Sequence, residues 1–422
     1  MLQFQGIIGI IAIVGLAWVL SENRAARPGW RWLAGALLLQ LAIAAIATRV
    51  PLLWAAVAQI NRAISAVETA TLAGSSYMFG YLGGAALPFV LKPGAQPPLV
   101  IAFQILPLII VFSALSALLW HWGVLRLAVK GLAWALRRSL GVSGVVGLAG
   151  GSTMFLGVVE TPLVLRAWLG RISRPDLFMV MVLIMSTISG AILVLYATTL
   201  RAVLPDAVGH MIVASLVSLP AAVLLARLMV PPDAAANTAA VEPDLKYEGA
   251  MDAIVRGAME GVQLMLAVIA IIITLFALVN LADQALALLG PVAEAPLSLR
   301  RILGWLFAPA MWGIGVPWEQ AGSAGALMGT KAVLNEYVAY LDLAALPPGM
   351  LDARSLVIVT YALCGVANLA SVGLIVSTIG TLAPERRADV AGLGMKSWAA
   401  GNMVSLLTGA MIGLVTPLTL AA

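Results

Sequence analysis

Two carboxylates and one amide interrupt strongly apolar stretches of this 422-residue chain. Glu160 follows a glycine-rich segment, Glu336 follows Asn335, and Asn368 stands three residues before Ser371. A charge at the centre of a bilayer costs about 3 kcal/mol on insertion scales, so each carboxylate should face a cavity or a partner. Carboxylate and amide groups together suit a polyhydroxylated solute. The alternative for both glutamates is helix capping, which stabilises a helix by only about 0.3–1 kcal/mol.

Hydroxyl groups cluster at two places where a helix could break. The segments are Ser186–Gly190 and Cys364–Ser371, and both lie inside long apolar runs. Hydroxyl and free carbonyl oxygens suit a small hard cation. The alternative is that each hydroxyl bonds the preceding helical turn or packs two helices together. Lys331 could pair with Glu336 or Glu160, or could extend toward the membrane interface.

The elements that must position these groups are membrane helices. The chain is 62% hydrophobic and 10% charged, against about 45–50% and 25% in soluble domains. Apolar runs of about 20 residues are long enough to cross a bilayer. The first has no preceding basic residue or cleavage site, so we expect it to stay as a span. The spans are predicted near 4–20, 32–48, 98–119, 177–199, 207–230, 258–281, 355–381 and 390–418.

Basic residues lie in short segments between the spans. Arg24, Lys130 and Arg171 belong to such segments, and this placement is typical of orientation signals and not of nucleic-acid binding. It predicts that both termini face outward. The single Cys364 excludes an internal disulfide, and a single cysteine with two histidines is too few for a cysteine- or histidine-rich metal site.

The chain divides into two halves with one outline. Segments 51–72 and 124–138 have the pattern of helices lying along the membrane, or of connectors packed on the bundle. Residues 124–230 form a first repeat, 231–257 a polar linker, 258–297 the sixth span, and 298–422 a second repeat. An odd number of crossings separates the repeats, so we expect them to be inverted, as in secondary transporters.

Each repeat contains a stretch that predicts a helical hairpin. These stretches are 142–172, with its turn near 157–161, and 318–345, with its turn near 331–335. Pro162 suits the first turn of a new helix, with Thr161 or Glu160 near the N-cap. A turn at membrane depth is tolerated only if it is buried in protein or lines a water-filled cavity.

The segment Gly329–Tyr340 resembles a long signature, G-x-K-x3-N-E-[FY]-x-A-Y, of the concentrative nucleoside transporters. The resemblance implies an all-α polytopic membrane protein with about eight transmembrane helices and two re-entrant hairpins. It also implies a homotrimer whose scaffold contains spans one, two, three and six. A mobile domain holding both hairpins would then carry nucleoside and a cation by an elevator motion, across a bacterial inner membrane.

The resemblance also implies roles for individual residues. Glu336, Asn368 and Ser371 would bind the ribose hydroxyls, and Glu160 would support the ribose side. The family's base-reading motif, G-Q-[ST]-E, is replaced here by Gly157, Val158, Val159 and Glu160, and Val366 replaces an aromatic base contact. These changes predict atypical base recognition, and leave a modified nucleoside or another ribose-like solute as an alternative.

The resemblance places a sodium site at Thr153, Leu156, Thr187 and Ile188. Thr153 stands where similar transporters have asparagine, so it keeps an oxygen but has a shorter reach. Proton coupling through Glu160 or Glu336 is the rival, since a buried carboxylate can bind a proton. No cofactor is expected beyond the coupling ion, and the expected partners are the nucleoside, membrane lipid and the other copies in the trimer.

Two other classes of protein make different demands on the sequence. A membrane-embedded enzyme would need a nucleophile and base or a metal triad, and the sequence contains neither an HExxH motif nor a nucleophile elbow. A channel would need a continuous polar pore. Polar residues instead concentrate at two hairpins and two breaks, which favours a single occluded site.

Overall fold

The fold is helical throughout the part of the chain that a computed structural model describes, namely residues 2–26, 28–92, 99–232, 241–292 and 295–417. Residues 233–240 of the predicted linker and residue 418 of the last predicted span lie outside these ranges. One small antiparallel hairpin joins β1 (Pro291–Val292) to β2 (Ala295–Pro296).

Among the described residues, five helices precede the first repeat, and two of them, α2 and α3, follow each other almost directly. They are α1 (Leu2–Val19), α2 (Trp30–Arg49), α3 (Pro51–Phe79), α4 (Ile101–Gln104) and α5 (Pro107–His121). Short 3₁₀ turns occupy Arg24–Ala26 and Gly80–Gly83.

The first repeat runs from an amphipathic helix to a long buried one. Its helices are α6 (Val124–Leu140), α7 (Gly144–Thr153), α8 (Glu160–Val164), α9 (Arg166–Leu169), α10 (Arg174–Ser186), α11 (Gly190–Leu200) and α12 (Ala207–Met229). The 38-residue α13 (Ala250–Ala287) follows.

The second repeat has the same order of elements. Its helices are α14 (Leu299–Gly313), α15 (Trp318–Val333), α16 (Glu336–Ala344), α17 (Ala353–Leu363), α18 (Leu369–Leu382) and α19 (Arg387–Val415), with a 3₁₀ turn at Pro384–Arg386. In each repeat an arm, a helical hairpin, an interrupted helix and an unbroken helix succeed one another.

Several helices have the length and hydropathy needed to cross a membrane. Six such spans are found among the described residues: Trp30–Arg49, Ile101–His121, Arg174–Leu200, Ala207–Met229, Ala250–Ala287 and Pro384–Val415. The first and seventh predicted spans are also apolar helices but are shorter: Phe4–Val19, and the two pieces Ala353–Leu363 and Leu369–Leu382. The break at 364–368 divides the seventh span, because that is where the polar cluster lies.

The first hairpin turn differs from its predicted position, whereas the second lies within the predicted 331–335. In the first hairpin, α7 ends at Thr153 and α8 begins at Glu160, so the turn covers 154–159 and starts earlier than predicted. Val159 precedes the helix without a side-chain cap, so neither Glu160 nor Thr161 is the N-cap. In the second hairpin only Leu334 and Asn335 are non-helical, and the Asn335 side chain caps α16 by accepting a bond from the Val338 amide.

The first, second, third and sixth predicted spans make two sets of close contacts. α1 and α2 lie against α12 and α19, whereas α5 pairs along its length with α13. This second pair is close because Gly257 and Gly261 of α13 form a G-x-x-x-G face. A Cβ at Gly261 would lie 2.6 Å from the Ile110 Cα atom of α5. The α5–α13 pair lies beside the buried bundle and is joined to it, because α5 also packs against α3, α6 and α11.

Candidate functional site

The carboxylate of Glu336 lies at the tip of the second hairpin and is 5% exposed. Tyr196 donates its hydroxyl to Oε1 at 2.6 Å, and Asn368 donates Nδ2 to Oε2 at 2.8 Å. Hydrogen bonds to a charged group are each worth about 1.5–3 kcal/mol. The structure thus brings residues from α16, α11 and the 364–368 break to one point.

The break orients Asn368. Asn368 caps α18, and its Oδ1 accepts a bond from the Ser371 amide at 2.8 Å. That bond fixes the amide so that Nδ2 faces Glu336. Gly365, with φ +140°, allows the chain to leave α17, and such a backbone conformation is strained for other residues. Glu336, Asn368 and Ser371 are therefore close together, as their predicted shared role requires.

Glu160 lies in a different environment, at the start of α8. Its carboxylate folds over Gly157, where a Cβ would lie only 2.4 Å from Glu160 Oε2. It lines a cavity between the first hairpin and the α5–α13 pair. The polar side chains shared by this cavity are Ser113, Ser116, Glu160, Ser189, Tyr247 and Glu260. The cavity therefore lies where the bundle meets the α5–α13 pair.

A second, smaller cavity collects five of the predicted site residues. Its lining includes Thr153, Leu156, Val158, Thr187 and Val366. The remaining lining residues, Gly157, Ile184, Ser189 and Ile192, are also uncharged. Because Val158 and Val366 both face this space, it offers an apolar wall on the side predicted to meet a base.

Of the residues predicted to meet the base or the cation, two stay outside this small cavity. Val159 is 39% exposed and Ile188 is fully buried, and neither lines the cavity. Val159 thus points away from its neighbour Val158, so the two replaced positions of the base-reading motif are not equivalent in the structure.

Several hydroxyl and carbonyl oxygens lie close together near Thr153. Thr187 Oγ1 lies 3.3 Å from the Thr153 carbonyl and 3.2 Å from the Leu183 carbonyl, and Thr153 Oγ1 donates to the Gly150 carbonyl at 3.1 Å. Each hydroxyl donates a single proton and keeps lone pairs, which could bind a hard cation. The residues present are therefore compatible with the predicted cation site.

Sequence reasoning missed several residues of these sites. Tyr196 stacks on Tyr337 with ring centroids 5.6 Å apart and tilts against Tyr340 at 5.1 Å, which places its hydroxyl on Glu336. A tyrosine six residues after a helix break could have been noticed, since a buried tyrosine usually bonds through its hydroxyl. Glu260, inside the sixth span, was missed too, although an acidic residue at such depth is a functional candidate.

Both predicted alternatives for Lys331 are wrong. Its side chain is fully buried, so it does not extend to the interface. Its amino group binds Asn402 and Ser405, and no described carboxylate lies within the 4.0 Å of an ion pair.

Two interrupted helices, two helical hairpins and buried polar groups at their meeting point define a class of protein. Half-helices that meet in this way form the substrate sites of secondary transporters. Irregular backbone is accepted there because it is enclosed by protein. The fold and the site are those of a membrane transporter.

Comparison with known protein families shows which family of membrane transporters this chain belongs to. The model described as Na⁺-dependent nucleoside transporter C-terminus matches residues 210–413, the corresponding N-terminus model matches 8–82, and a nucleoside recognition model matches 102–202. The nucleoside permease NupC of Helicobacter pylori is 30% identical over 415 residues, covering 97% of this chain and 96% of that protein. This chain belongs to the concentrative nucleoside transporter family. Its relatives are transporters and not enzymes.

Other matches agree along the whole length. The uncharacterized transporter YutK of Bacillus subtilis is 33% identical, covering 97% of this chain and 98% of that protein. Among solved structures, CNTnw in an inward-facing substrate-bound state has a TM-score of 0.87, with 33% identity and 98% coverage of both chains. The multi-pass helical architecture is therefore shared from end to end.

Proposed function

We propose that this protein is a cation-coupled symporter that takes up nucleosides across a bacterial inner membrane. The observation that carries the proposal is the Glu336–Asn368 hydrogen bond of 2.8 Å, which joins the second hairpin to the broken seventh span. A carboxylate and an amide held side by side can together accept from and donate to two adjacent hydroxyls. The ribose 2′- and 3′-hydroxyls are such a pair.

The ribose side of the proposed site consists of Glu336, Asn368 and Ser371, and Glu160 of the first hairpin would support it. Tyr196 donates its hydroxyl to the Glu336 carboxylate and so fixes its position. A ribose hydroxyl would donate to a remaining lone pair of the same carboxylate.

The base side is apolar in this proposal. Val158 and Val366 face the small cavity, and they would contact the base without reading its edges. A base edge left unpaired loses roughly 0.5–1.5 kcal/mol per missing hydrogen bond. We therefore expect the protein to accept several different bases with similar affinity. The family matches favour nucleosides over other ribose-like solutes.

Sodium is the proposed coupling ion, with Thr153, Leu156, Thr187 and Ile188 as its surroundings. The family descriptions name Na⁺-dependent transporters, and the hydroxyl and carbonyl oxygens at Thr153 and Thr187 suit a hard cation. The proton remains the rival, through Glu160 or Glu336, and the experiment below separates the two.

The proposed motion is an elevator movement, in a homotrimer, of the domain that holds both hairpins against a scaffold of spans one, two, three and six. The cavity between Glu160 and Glu260 lies at the surface along which that movement would occur. Exposed apolar side chains on α13, such as Ile273 and Phe276, offer a surface for other copies or for lipid.

The test is uptake into proteoliposomes containing the purified protein. Radiolabelled purine and pyrimidine nucleosides, a modified nucleoside and free ribose are each offered under an imposed sodium gradient and, separately, a proton gradient. We expect sodium-driven accumulation of several nucleosides and none of ribose. Accumulation of none of the nucleosides under either gradient would overturn the proposal, and accumulation under the proton gradient alone would reassign the coupling ion.

A further inference from the structure

Lys331 is a fully buried amino group in the last turn of α15. Its Nζ donates to Asn402 Oδ1 at 3.1 Å and to Ser405 Oγ at 2.8 Å. Both acceptors are neutral oxygens of α19. Moving an ion into a protein interior still costs several kcal/mol after relaxation, so an ammonium placed there needs a compensating arrangement.

The two acceptors connect Lys331 to the break in the seventh span. Asn402 donates Nδ2 to the Ala367 carbonyl at 3.0 Å, and Ser405 donates to the Cys364 carbonyl at 3.4 Å. The amino group of Lys331 is therefore one side chain away from the carbonyls at both ends of the break. Cys364 is the C-cap of α17, and a positive charge near the carbonyl end of a helix is stabilised by the helix dipole.

The same chain of contacts continues to the solute site. Asn368 follows Ala367 directly and donates its amide to Glu336 at 2.8 Å. A connected path thus runs from the buried ammonium, through Asn402 and the break, to the buried carboxylate. Opposite charges at its two ends offset each other in a low-dielectric interior more strongly than they would in water.

The first repeat has the same plan without a charged side chain. Its hairpin meets its break through the Thr187 hydroxyl and the Thr153 carbonyl, 3.3 Å apart. All the residues that line the cavity there are uncharged. In the first hairpin, the last turn of α7 therefore presents the oxygens of Thr153. In the second hairpin, the last turn of α15 presents the amino group of Lys331.

We propose that Lys331 supplies a tethered cation in the second repeat, at the counterpart of the exchangeable cation site of the first. This inference rests on the proposed function and deepens it. The tethered ammonium balances Glu336 and orders the 364–368 break. One exchangeable cation, bound near Thr153 and Thr187, then accompanies each nucleoside.

The first measurement needs no transport. Lys331→Ala removes the ammonium and leaves the Asn402 and Ser405 oxygens around a space for a small cation. The Tm of the purified variant should rise with added NaCl or methylammonium chloride more than with choline chloride, because a ligand that binds only the folded state stabilises it. Lys396→Ala is the matched control. Lys396 belongs to α19, the helix that Lys331 contacts, but it pairs with Glu22 near the surface. The control should respond as the native protein does.

The second measurement follows uptake against sodium concentration. The native protein and Lys396→Ala should give Hill coefficients of about 1, and Lys331→Ala a coefficient of about 2 with half-maximal uptake at several-fold higher sodium. An unchanged coefficient and unchanged half-maximal concentration in a folded Lys331→Ala protein would overturn the inference. So would a folded variant whose Tm and uptake respond to none of the small cations.

A variant that does not fold is tested by removing the opposite charge as well. If Lys331 balances Glu336, the double variant Lys331→Ala, Glu336→Gln should recover a folded protein, seen as a single symmetric peak in gel filtration. Failure of the double variant to recover would count against the inference. Failure of the proposed function is seen separately, as absence of accumulation by the native protein, and leaves the Tm comparison intact.

Discussion

The two hairpins begin their second helices with a glutamate each, but the two carboxylates are held very differently. Glu336 is bonded by Tyr196 and Asn368. Among the described residues no side chain hydrogen-bonds to Glu160, whose carboxylate folds over Gly157 and faces the cavity shared with α5 and α13. The second hairpin thus presents a carboxylate held by two side chains from other helices, and the first presents one held only by nearby backbone amides. In the proposed function both carboxylates serve the ribose side, and we expect Glu336 to contribute more because it is held more firmly.

The largest effect should come from Glu336→Gln, which keeps the shape and removes the charge. Two hydrogen bonds weaken and the ribose loses its acceptor, so uptake efficiency should fall by at least about 100-fold, at about 1.5–3 kcal/mol per charged bond. Initial-rate uptake in proteoliposomes measures it. Glu319→Gln, an exposed residue of the same hairpin, is the control. Undiminished accumulation of every nucleoside would refute the assigned role.

A smaller effect is expected at the first hairpin from Thr153→Val, which exchanges the hydroxyl for a methyl group of equal size. Loss of one oxygen ligand should raise the sodium concentration for half-maximal uptake by about tenfold, a cost of about 1.4 kcal/mol. Thr381→Val serves as the control, because the Thr381 hydroxyl bonds its preceding turn on an exposed helix. An identical sodium dependence in both variants would remove Thr153 from the cation site.

Tyr196→Phe tests whether the second hairpin is preorganised. It removes one donor to Glu336 and should weaken nucleoside binding about 3–10-fold, at about 0.5–1.5 kcal/mol. Calorimetric titration measures the change. Tyr340→Phe is the control, since that hydroxyl bonds the Thr360 carbonyl instead. In a Glu336→Gln background Tyr196→Phe should add little, because residues that act through one contact are not additive.

The two valines of the first hairpin should respond unequally. Val158 lines the small cavity and Val159 does not, so Val158→Gln should change the ratio of purine to pyrimidine affinities by about 3–10-fold, the worth of one base hydrogen bond. Val159→Thr should leave the ratio nearly unchanged. Competition of unlabelled nucleosides against one labelled nucleoside gives both ratios, and equal responses would contradict the placement of Val158.

The smallest effect concerns a contact that ties both repeats to one loop. Glu22 bonds Arg174 at the start of α10 and Lys396 of α19. The hydrogen bond from Arg174, aided by Lys396 and opposed by partial burial, lowers the pKa of Glu22 from 4.5 to about 2. This stabilisation is fully present above pH 4.5 and is lost as the pH falls toward 2. The Tm difference between native protein and Glu22→Gln should therefore shrink over that range, and a difference that persists at the lowest pH would contradict it.

Much of this organisation could be predicted from the sequence, because apolar length and a long signature are local properties. The two interrupted helices, the hairpins and the cluster of Glu336 with Asn368 followed from them. The first turn was misplaced, since glycine and proline mark a region and not the residue at which a helix ends. Tyr196, Glu260 and the partners of Lys331 depend on which helix faces which, and that is decided by packing between residues more than 70 positions apart, as between Lys331 and Ser405.

The great length of α13 sets a condition on any movement beside it. At about 1.5 Å per residue its 38 residues extend roughly 57 Å, nearly twice the thickness of the hydrocarbon core of about 30 Å. A helix of that length must tilt or project into water on one side. In the proposed elevator movement, the mobile domain would therefore still lie beside α13 after a displacement by a good part of the bilayer thickness. A membrane of different thickness would change the tilt of α13, and with it the length of the proposed displacement.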